Sequence, residues 1–255
     1  MGTLLLPLAL ATLGLLRGGD ARQERLPRDP GPRTEYFVLE IVGADAAAGA
    51  KAPPTVGSVV LRRRALADGY QLEAEWQFDR TEEDGGTERV LHVEQFSSVG
   101  SKLIWREWGP ARARSLSVTR DAAGRELAYA DSGRGATPRG TLASKGHAWM
   151  PLEILERLRL GDALGSGCER FDPLSRTLER VEVRRLPLEA AAGAAPAARV
   201  HEIVRDDGTC AGRCEFVGEE LRSFRWQHGD LLARRVDEAE YRARAPLASV
   251  TIKRP

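Results

Sequence analysis

Apolar and polar residues alternate along much of this chain with a period of two. The cleanest run places Tyr70, Leu72, Ala74, Trp76 and Phe78 on one side and Gln71, Glu73, Glu75 and Gln77 on the other. Because successive side chains of a β-strand point to opposite faces, this run predicts a strand with one face in a core and one in water.

Shorter segments of the same kind follow one another, separated by turn residues. The turn signals include Asp68-Gly69, Asp121 to Gly124, Asp206 to Gly208 and Gly218. Short strands linked by tight turns are typical of antiparallel sheets. The pattern predicts a mostly β fold of about ten strands, either a curved antiparallel sheet or an incomplete barrel.

One segment, near 151–160, has a helical period instead. Its apolar residues Leu152, Leu155 and Leu158 recur at helical spacing. Pro151 suits the first turn of a helix, and Gly161 suits its C-terminal stop. We expect one short amphipathic helix that caps an open end or an edge of the sheet.

The first residues carry the pattern of an export signal. Leu4 to Leu16 is an apolar run of 13 residues, and a membrane-spanning helix needs roughly 20. Gly19 and Ala21 supply the small side chains that a signal peptidase requires, so cleavage is expected after Ala21. No Lys or Arg precedes Leu4, so either the signal is weak or the true start lies upstream. The prediction is an exported protein, periplasmic or extracellular.

The composition of the residues after the predicted signal differs from that of the strands that follow. Pro27, Pro30 and Pro32 stand among charges without apolar periodicity, which indicates a flexible leader before the strands begin. The predicted organisation is a signal peptide at 1–21, a leader at 22–33, an antiparallel β domain at 34–245 and a C-terminal tail at 246–255.

Net charge and hydropathy indicate which kinds of partner and which membrane association are not expected. The chain has 38 Lys and Arg residues against 37 Asp and Glu residues, for a net charge of +1. Nucleic-acid binders usually carry a strongly basic face, so we expect no nucleic-acid partner. No second apolar stretch is long enough to cross a bilayer, so the chain is not expected to span a membrane after signal cleavage.

The three cysteines are Cys168, Cys210 and Cys214. In an oxidising compartment, Cys210 and Cys214 are close enough in sequence to close a small disulfide loop. Cys168 could instead pair with either of them, or all three could be free thiols. A metal site is the weakest alternative, because structural zinc sites need four ligands.

No group of residues has the spacing that a known reaction requires. None of the four histidines stands at the separations that bring ligands together, and no nucleophile elbow, P-loop or dinucleotide motif occurs. We therefore assign no catalytic residue, metal or cofactor. His147, just before the predicted helix, is the first histidine to test.

Large aromatic residues fall on several predicted strands. They either fill the interior of the sheet or line a hydrophobic cavity, and alternation cannot separate the two. The candidate ligand-lining residues are Trp76, Phe78, Trp105 and Trp226.

Two groups of residues carry a family resemblance. The first is the predicted helix followed by Arg159-Leu160-Gly161-Asp162, Phe171-Asp172-Pro173 and a strand; the second is Trp226-x-x-Gly229-Asp230-Leu231. Together they resemble a group of uncharacterised exported envelope β-proteins. That group is similar in turn to the lipoprotein-carrier (LolA/LolB-like) half-barrel fold. The resemblance implies a non-enzymatic envelope protein with an apolar concavity.

Three hypotheses for function follow. The first is an exported binding protein that holds a hydrophobic ligand or lipid-like partner in a concave β-sheet. The second is a structural or assembly factor of the envelope that acts through protein–protein contacts at strand edges. The third is an enzyme of unrecognised class around His147 and Cys168.

Overall fold

One continuous β-sheet forms the body of the protein in the computed structural model, which describes residues 31–41, 55–79, 87–109, 112–133, 138–164, 167–187, 198–226 and 231–244. Within these residues the sheet has fifteen strands and the chain has two helices. The strands are β1 (Arg33–Ile41), β2 (Thr55–Leu66), β3 (Gly69–Asp79), β4 (Thr87–Ser97), β5 (Gly100–Gly109), β6 (Arg112–Asp121), β7 (Glu126–Ser132), β8 (Arg139–Ala143), β9 (Ala148–Trp149), β10 (Cys168–Asp172), β11 (Thr177–Leu186), β12 (Ala198–Arg205), β13 (Cys210–Val217), β14 (Glu220–Trp226) and β15 (Leu231–Val236). Helix α1 (Pro151–Arg159) lies between β9 and β10, and α2 (Glu238–Arg244) follows β15.

The strand order is that of two joined meanders. It runs β8-β7-β6-β5-β4-β3-β2-β1-β15-β14-β13-β12-β11-β10-β9. Neighbouring strands are antiparallel, except that β9 and β10 are parallel. The first and last strands, β1 and β15, pair with each other and so join the two meanders at the centre of the sheet.

The prediction of a mostly β, curved antiparallel sheet is confirmed, but the strand number of about ten and the single helix are wrong. Strand β8 is exposed or half-exposed at every position, so it has no apolar alternation. Strand β9 has only two residues. Helix α2 has no buried residue and therefore no apolar stripe in its sequence. These elements carry too little local signal to be predicted from periodicity.

Strand β3 has the two faces that its alternation predicts. Tyr70, Leu72 and Ala74 are buried on what we call the inner face, together with their cross-strand partners. On the outer face, Glu73 and Glu75 accept hydrogen bonds from Arg62 of β2. Strand β3 pairs with β2 at ten positions and with β4 at eleven, so this part of the sheet is a long regular ladder.

The two ends of the sheet overlap. Arg114 on β6 and Asp131 on β7 project from the inner face. Arg114 Nη2 donates to the carbonyl oxygen of Pro173 in the turn after β10 (2.9 Å), and Arg176 in that turn donates to Asp131 (3.1 Å). The β10–β11 hairpin therefore lies against the inner face of β6 and β7, and the curled sheet is a spiral.

Strand β10 shows the consequence of this overlap. Its neighbouring residues Arg170 and Phe171 point to opposite faces and both are completely buried. A strand covered on both faces sits between two layers, here the interior of the curl and the inner face of the overlapping strands.

The helix predicted at 151–160 is confirmed as α1, and it lies inside the curl. Eight of its nine residues are buried, polar ones included. Gly161 adopts φ +81°, and its N–H donates to the carbonyl oxygen of Leu158, which ends the helix as expected. The helix thus occupies the interior of the curl and is buried on nearly every side.

The curl has two ends. The helix end is the end of the sheet at Arg63, Glu94 and Arg120, where α1 lies. The far end is the opposite end, marked by Ile41 and Gly109.

Helix α2 packs on the outer face of β1. The rings of Tyr36 and Tyr241 are 5.0 Å apart, and Arg234 bridges Glu40 and Glu240. Among the described residues, neither helix is long and apolar enough to cross a membrane.

Candidate ligand-binding site

An aromatic pair lies on the inner face of β3 toward the far end. Trp76 and Phe78 stack with ring centroids 6.2 Å apart, and the rings of Trp76 and Phe224 of β14 form a T-shaped pair with centroids 5.6 Å apart. Both rings of the pair are only half-buried, although they pack against a fully buried core. Val56 beside them is half-buried in the same way. Partly exposed apolar surface on a concave face can bind an apolar ligand.

The other two predicted lining residues differ from this pair. Trp105 is buried in the wall of the curl, where its Nε1 donates to Glu107 (2.7 Å) and its ring lies 5.2 Å from that of His92. Trp105 is therefore a core residue whose indole N–H has a hydrogen-bond partner. Trp226 ends β14, and its side chain lies outside the described residues. The structure therefore brings two of the four candidates together.

At the helix end, a buried carboxylate holds the start of α1. Glu94 of β4 has no exposed surface, and its two oxygens accept the backbone N–H groups of Leu152 and Glu153, each at 2.8 Å. The first N–H groups of a helix have no partner within it, and its N-terminus carries partial positive charge. Glu94, on a strand of the sheet, supplies both the missing hydrogen-bond acceptors and the negative charge.

An arginine holds the other end of α1. Arg199 of β12 donates to the carbonyl oxygens of Leu158 (3.2 Å) and Arg159 (2.9 Å). The C-terminal carbonyls of a helix carry partial negative charge, so a guanidinium there is favourable. The sheet therefore supplies a charge of the correct sign at each end of the helix.

The first turn of α1 also carries a buried ion pair. Arg120 of β6 donates to both carboxylate oxygens of Glu153 (2.7 and 3.2 Å) and lies 2.8 Å from His147 Nε2. Burial alone would raise the pKa of Glu153, but Arg120 and His147 lower that pKa to about 2. His147, the histidine singled out from the sequence, is thus part of the contacts that anchor α1.

The last turn is anchored to β1 and β2. Arg159 donates to Glu35 of β1 at 2.5 Å, and Glu156 accepts from Arg33 at 2.7 Å. Arg63 of β2 lies 3.4 Å from Glu156. Most of these groups are almost fully buried, so each charge depends on its partner.

Sequence reasoning missed these anchoring charges for a specific reason. Glu35, Glu94 and Arg120 stand at inner-face positions of their strands, where the alternation predicts apolar side chains. Their partners on α1 lie between 33 and 124 residues away along the chain. A charged residue interrupting the inner face of a strand is the only local signal that could have indicated them.

A cleft lies beside these contacts at the helix end and is lined by residues of α1, β1, β2 and β3. It holds about 300 Å³ of space continuous with solvent. Its apolar walls are Leu61, Leu72, Leu152 and Leu155, and charged residues including Arg33 and Glu156 stand around them. Because those charges already pair with each other, this cleft is a weaker candidate for a ligand than the aromatic pair.

The three cysteines are free thiols in the structure. Cys210 and Cys214 are both on β13, and four residues of extended strand span on the order of 13 Å. A disulfide requires Cα atoms within about 7 Å, so the bridge predicted between them does not fit this strand. Burial raises the pKa of the Cys214 thiol to about 12 and also raises the pKa of Cys168. Neither thiol is activated as a nucleophile.

Metal ligands do not cluster in the part of the chain that the structure describes. No three His, Cys, Asp or Glu residues there are placed to hold a metal ion. His201 has its pKa lowered by burial and by Arg199 and Arg185, which disfavours a further positive charge beside it.

Comparisons with known proteins support the fold alone. No family model and no curated protein matches the chain. Three chains of solved structures match it. One is the crystal structure of a beta-barrel-like protein of a domain of unknown function, DUF1849, from Brucella abortus. Its TM-score is 0.53 at 12% identity, and the match covers 81% of this chain and 96% of that chain. This similarity supports a beta-barrel-like fold and does not confirm the resemblance to lipoprotein carriers.

Proposed function

We propose that this chain is an exported, non-enzymatic binding protein that holds a hydrophobic ligand or lipid-like partner within its curled sheet. The observation that carries the proposal is the stacked, half-buried pair of Trp76 and Phe78 on the inner face toward the far end. Burying the exposed part of such rings against an apolar ligand is favourable by about 25 cal/mol per Å² of apolar surface.

The contrast between the two ends supports this choice. At the helix end, α1 fills the curl and its charges are paired with the wall. At the far end, aromatic rings pack on the core and still keep part of their surface accessible. An apolar ligand therefore gains more at Trp76 and Phe78 than beside α1.

Titration with the neutral fluorescent probe N-phenyl-1-naphthylamine tests the proposal. We expect saturable binding by the full chain, and we expect Trp76→Ala and Phe78→Ala each to weaken it by about tenfold, the loss from removing a buried aromatic contact. Trp108→Ala is the matched control, because Trp108 is an exposed tryptophan on the outer face of β5. It should leave probe affinity unchanged.

A conservative variant separates binding from folding. Trp76→Phe keeps an aromatic ring and should retain most of the affinity, with an unchanged thermal melt. Native mass spectrometry of protein purified from its own envelope should show co-purified lipid or another apolar molecule. Absence of both probe binding and a co-purified ligand, or equal losses in the Trp76 and Trp108 variants, would overturn the proposal.

The second candidate function is an envelope assembly factor. One observation favours it: β8 pairs with β7 on one side and, in the described part of the chain, with no strand on the other. A free strand edge can accept an extended segment of a partner protein. Co-purification of a stoichiometric protein partner whose binding is lost in Thr141→Pro would favour this reading over the first.

A further inference from the structure

We propose that the overlap between the two ends of the sheet is a latch that opens sideways, and that the hydrophobic ligand reaches the interior of the curl through it. We define the latch as Arg114, Asp131 and Arg176. The inference rests on the proposed function for the identity of what enters, whereas the opening itself is a property of the fold.

The overlap is held together more weakly than the rest of the sheet. Within the described residues, no ladder joins β8 to β9 or β10, whereas β2 and β3 pair at ten positions. Separating a ladder breaks a row of backbone hydrogen bonds. Separating the overlap at the far end exposes apolar side chains such as the buried Phe171. It also breaks an ion pair whose arginine, Arg176, is partly exposed, and such a pair contributes about 1 kcal/mol or less. It breaks no row of backbone hydrogen bonds between the described strands. The curl therefore opens most easily along this line.

The latch is centred on the carboxylate of Asp131. Asp131 on β7 accepts three hydrogen bonds from Arg114 of β6, at 3.2, 3.0 and 2.8 Å, and one from Arg176 at 3.1 Å. Arg114 also reaches the carbonyl oxygen of Pro173 (2.9 Å). One carboxylate thus joins residues from the two opposite ends of the sheet. Removal of its charge weakens both connections at once.

The backbone of the latch is strained at Arg176. This is the described non-glycine residue with a positive φ, +61°. The left-handed conformation costs an L-residue roughly 1–2 kcal/mol relative to glycine. Asp172 holds the turn in place by accepting the N–H groups of Leu174 and Ser175. In this strained conformation the Arg176 guanidinium reaches Asp131. A glycine at this position would have no side chain to make that contact.

Apolar side chains line the overlap. Tyr129 of β7 and Leu142 of β8 are half-buried on the inner face, and Leu178 of β11 is half-buried on the face of its hairpin opposite the curl's interior. All three pack against the core. When the overlap parts, these side chains form apolar walls that lead from the surface to the core.

A second set of contacts closes the overlap at the helix end. Glu169 of β10 accepts the N–H of Lys145 (2.8 Å) and the hydroxyl of Ser144. Ala148 N donates to the carbonyl oxygen of Gly124 at 2.7 Å. Because the chain between β8 and β9 also runs here, this side stays connected and acts as the hinge while the far end opens.

Hydrogen exchange without any ligand tests the latch itself. Asp131→Asn keeps the shape of the side chain and removes its charge, and Arg176→Gly removes the guanidinium and relieves the strain. We expect both to increase amide exchange in β10 by about fivefold, the equivalent of one ion pair, with no change in β3. The control is Arg184→Ala, since the Arg184–Glu182 pair is exposed and lies away from the overlap. Unchanged exchange in β10 in both latch variants would overturn the latch.

Stopped-flow mixing with N-phenyl-1-naphthylamine tests whether the latch is the route. Faster opening should raise the association and dissociation rates together by about fivefold while Kd stays within about twofold. Arg176→Lys, which keeps the charge, should give rates closer to those of the unmodified protein. Wild-type rates in a variant whose β10 exchange has increased would overturn the route. If the unmodified protein binds no probe, the proposed function and the route fail together, and the exchange experiment alone decides on the latch.

Discussion

Glu153 shows how one buried residue sets the response of the protein to acid. Its pKa is lowered to about 2 through Arg120 and His147, against an ordinary value of 4.5. A carboxyl group whose pKa is lowered on folding stabilises the protein above its unfolded pKa, and that contribution disappears as pH falls through the folded pKa. The contribution of Glu153 is therefore complete near neutrality and declines between about pH 5 and pH 2.

We predict that Glu153→Gln lowers the free energy of unfolding at pH 7 by on the order of 3 kcal/mol. The same variant should lose less stability than the unmodified protein between pH 5 and pH 3, because its side chain no longer titrates. Guanidinium denaturation at pH 7, 5 and 3 measures both effects. Glu182→Gln is the control, since Glu182 pairs with Arg184 at the exposed surface. Similar pH slopes for unmodified protein and Glu153→Gln would contradict the prediction.

The cysteines differ in accessibility, which predicts their order of reaction. Cys210 is exposed, Cys168 is half-buried, and Cys214 is buried with its pKa raised to about 12. With N-ethylmaleimide at pH 7, Cys210 should be modified first, and Cys214 should react only in denaturant. Intact-mass and peptide analysis measures the order. No modification of Cys210 without prior reduction would show that it is held in a disulfide.

At the scale of the element, α1 is stabilised by residues of the surrounding sheet. Glu94 accepts its first N–H groups, and Arg199 donates to its last carbonyl oxygens. A nine-residue helix is too short to be stable alone in water. Its formation therefore depends on the sheet that surrounds it.

We predict unequal effects at the two ends of α1. Glu94→Gln should lower the free energy of unfolding by about 2 kcal/mol or more, because a completely buried acceptor of two N–H groups is replaced by an amide. Arg199→Ala should cost about 1 kcal/mol, because Arg199 is half-buried and water can reach the carbonyls it leaves. Chemical denaturation together with amide exchange at 154–160 measures both. A larger cost for Arg199→Ala would contradict this ranking.

Sequence periodicity predicted the elements whose signals are local. The alternation of Tyr70 to Phe78 predicted β3, and Pro151 and Gly161 correctly placed the ends of α1. Strand β8 was missed because it is exposed, and the position of α1 inside the curl was missed because Glu94 and Arg199 are far from it in sequence. The same limit applies to the candidate site. Trp76 and Trp105 have equivalent patterns, and only the packed structure distinguishes a half-exposed ring from a core ring.

At the scale of the molecule, the overlapping spiral follows from a sheet whose two end strands share no ladder among the described residues. The fifteen-stranded sheet would close as a barrel if β8 and β9 shared a ladder, but the chain passes from β8 into the two-residue β9 and then into α1. The helix fills the interior, and β10 passes under the overlapping strands. The apolar interior is thus sealed partly by side chains, a construction that leaves one side of the sheet less firmly closed than a continuous ladder would.

This construction predicts a gradient of local stability along the sheet. Strand β3 is paired on both sides, whereas β8 pairs at five positions on one side. We expect the amides of β8 to exchange faster than those of β3 by at least about a hundredfold, because edge strands open without unfolding the core. Hydrogen exchange followed by mass spectrometry at several protein concentrations measures the gradient. Equal protection of β8 and β3 would mean that another strand covers the free edge. If that protection rises with protein concentration, the covering strand belongs to a second copy of the chain, and if it does not, the edge is covered from within.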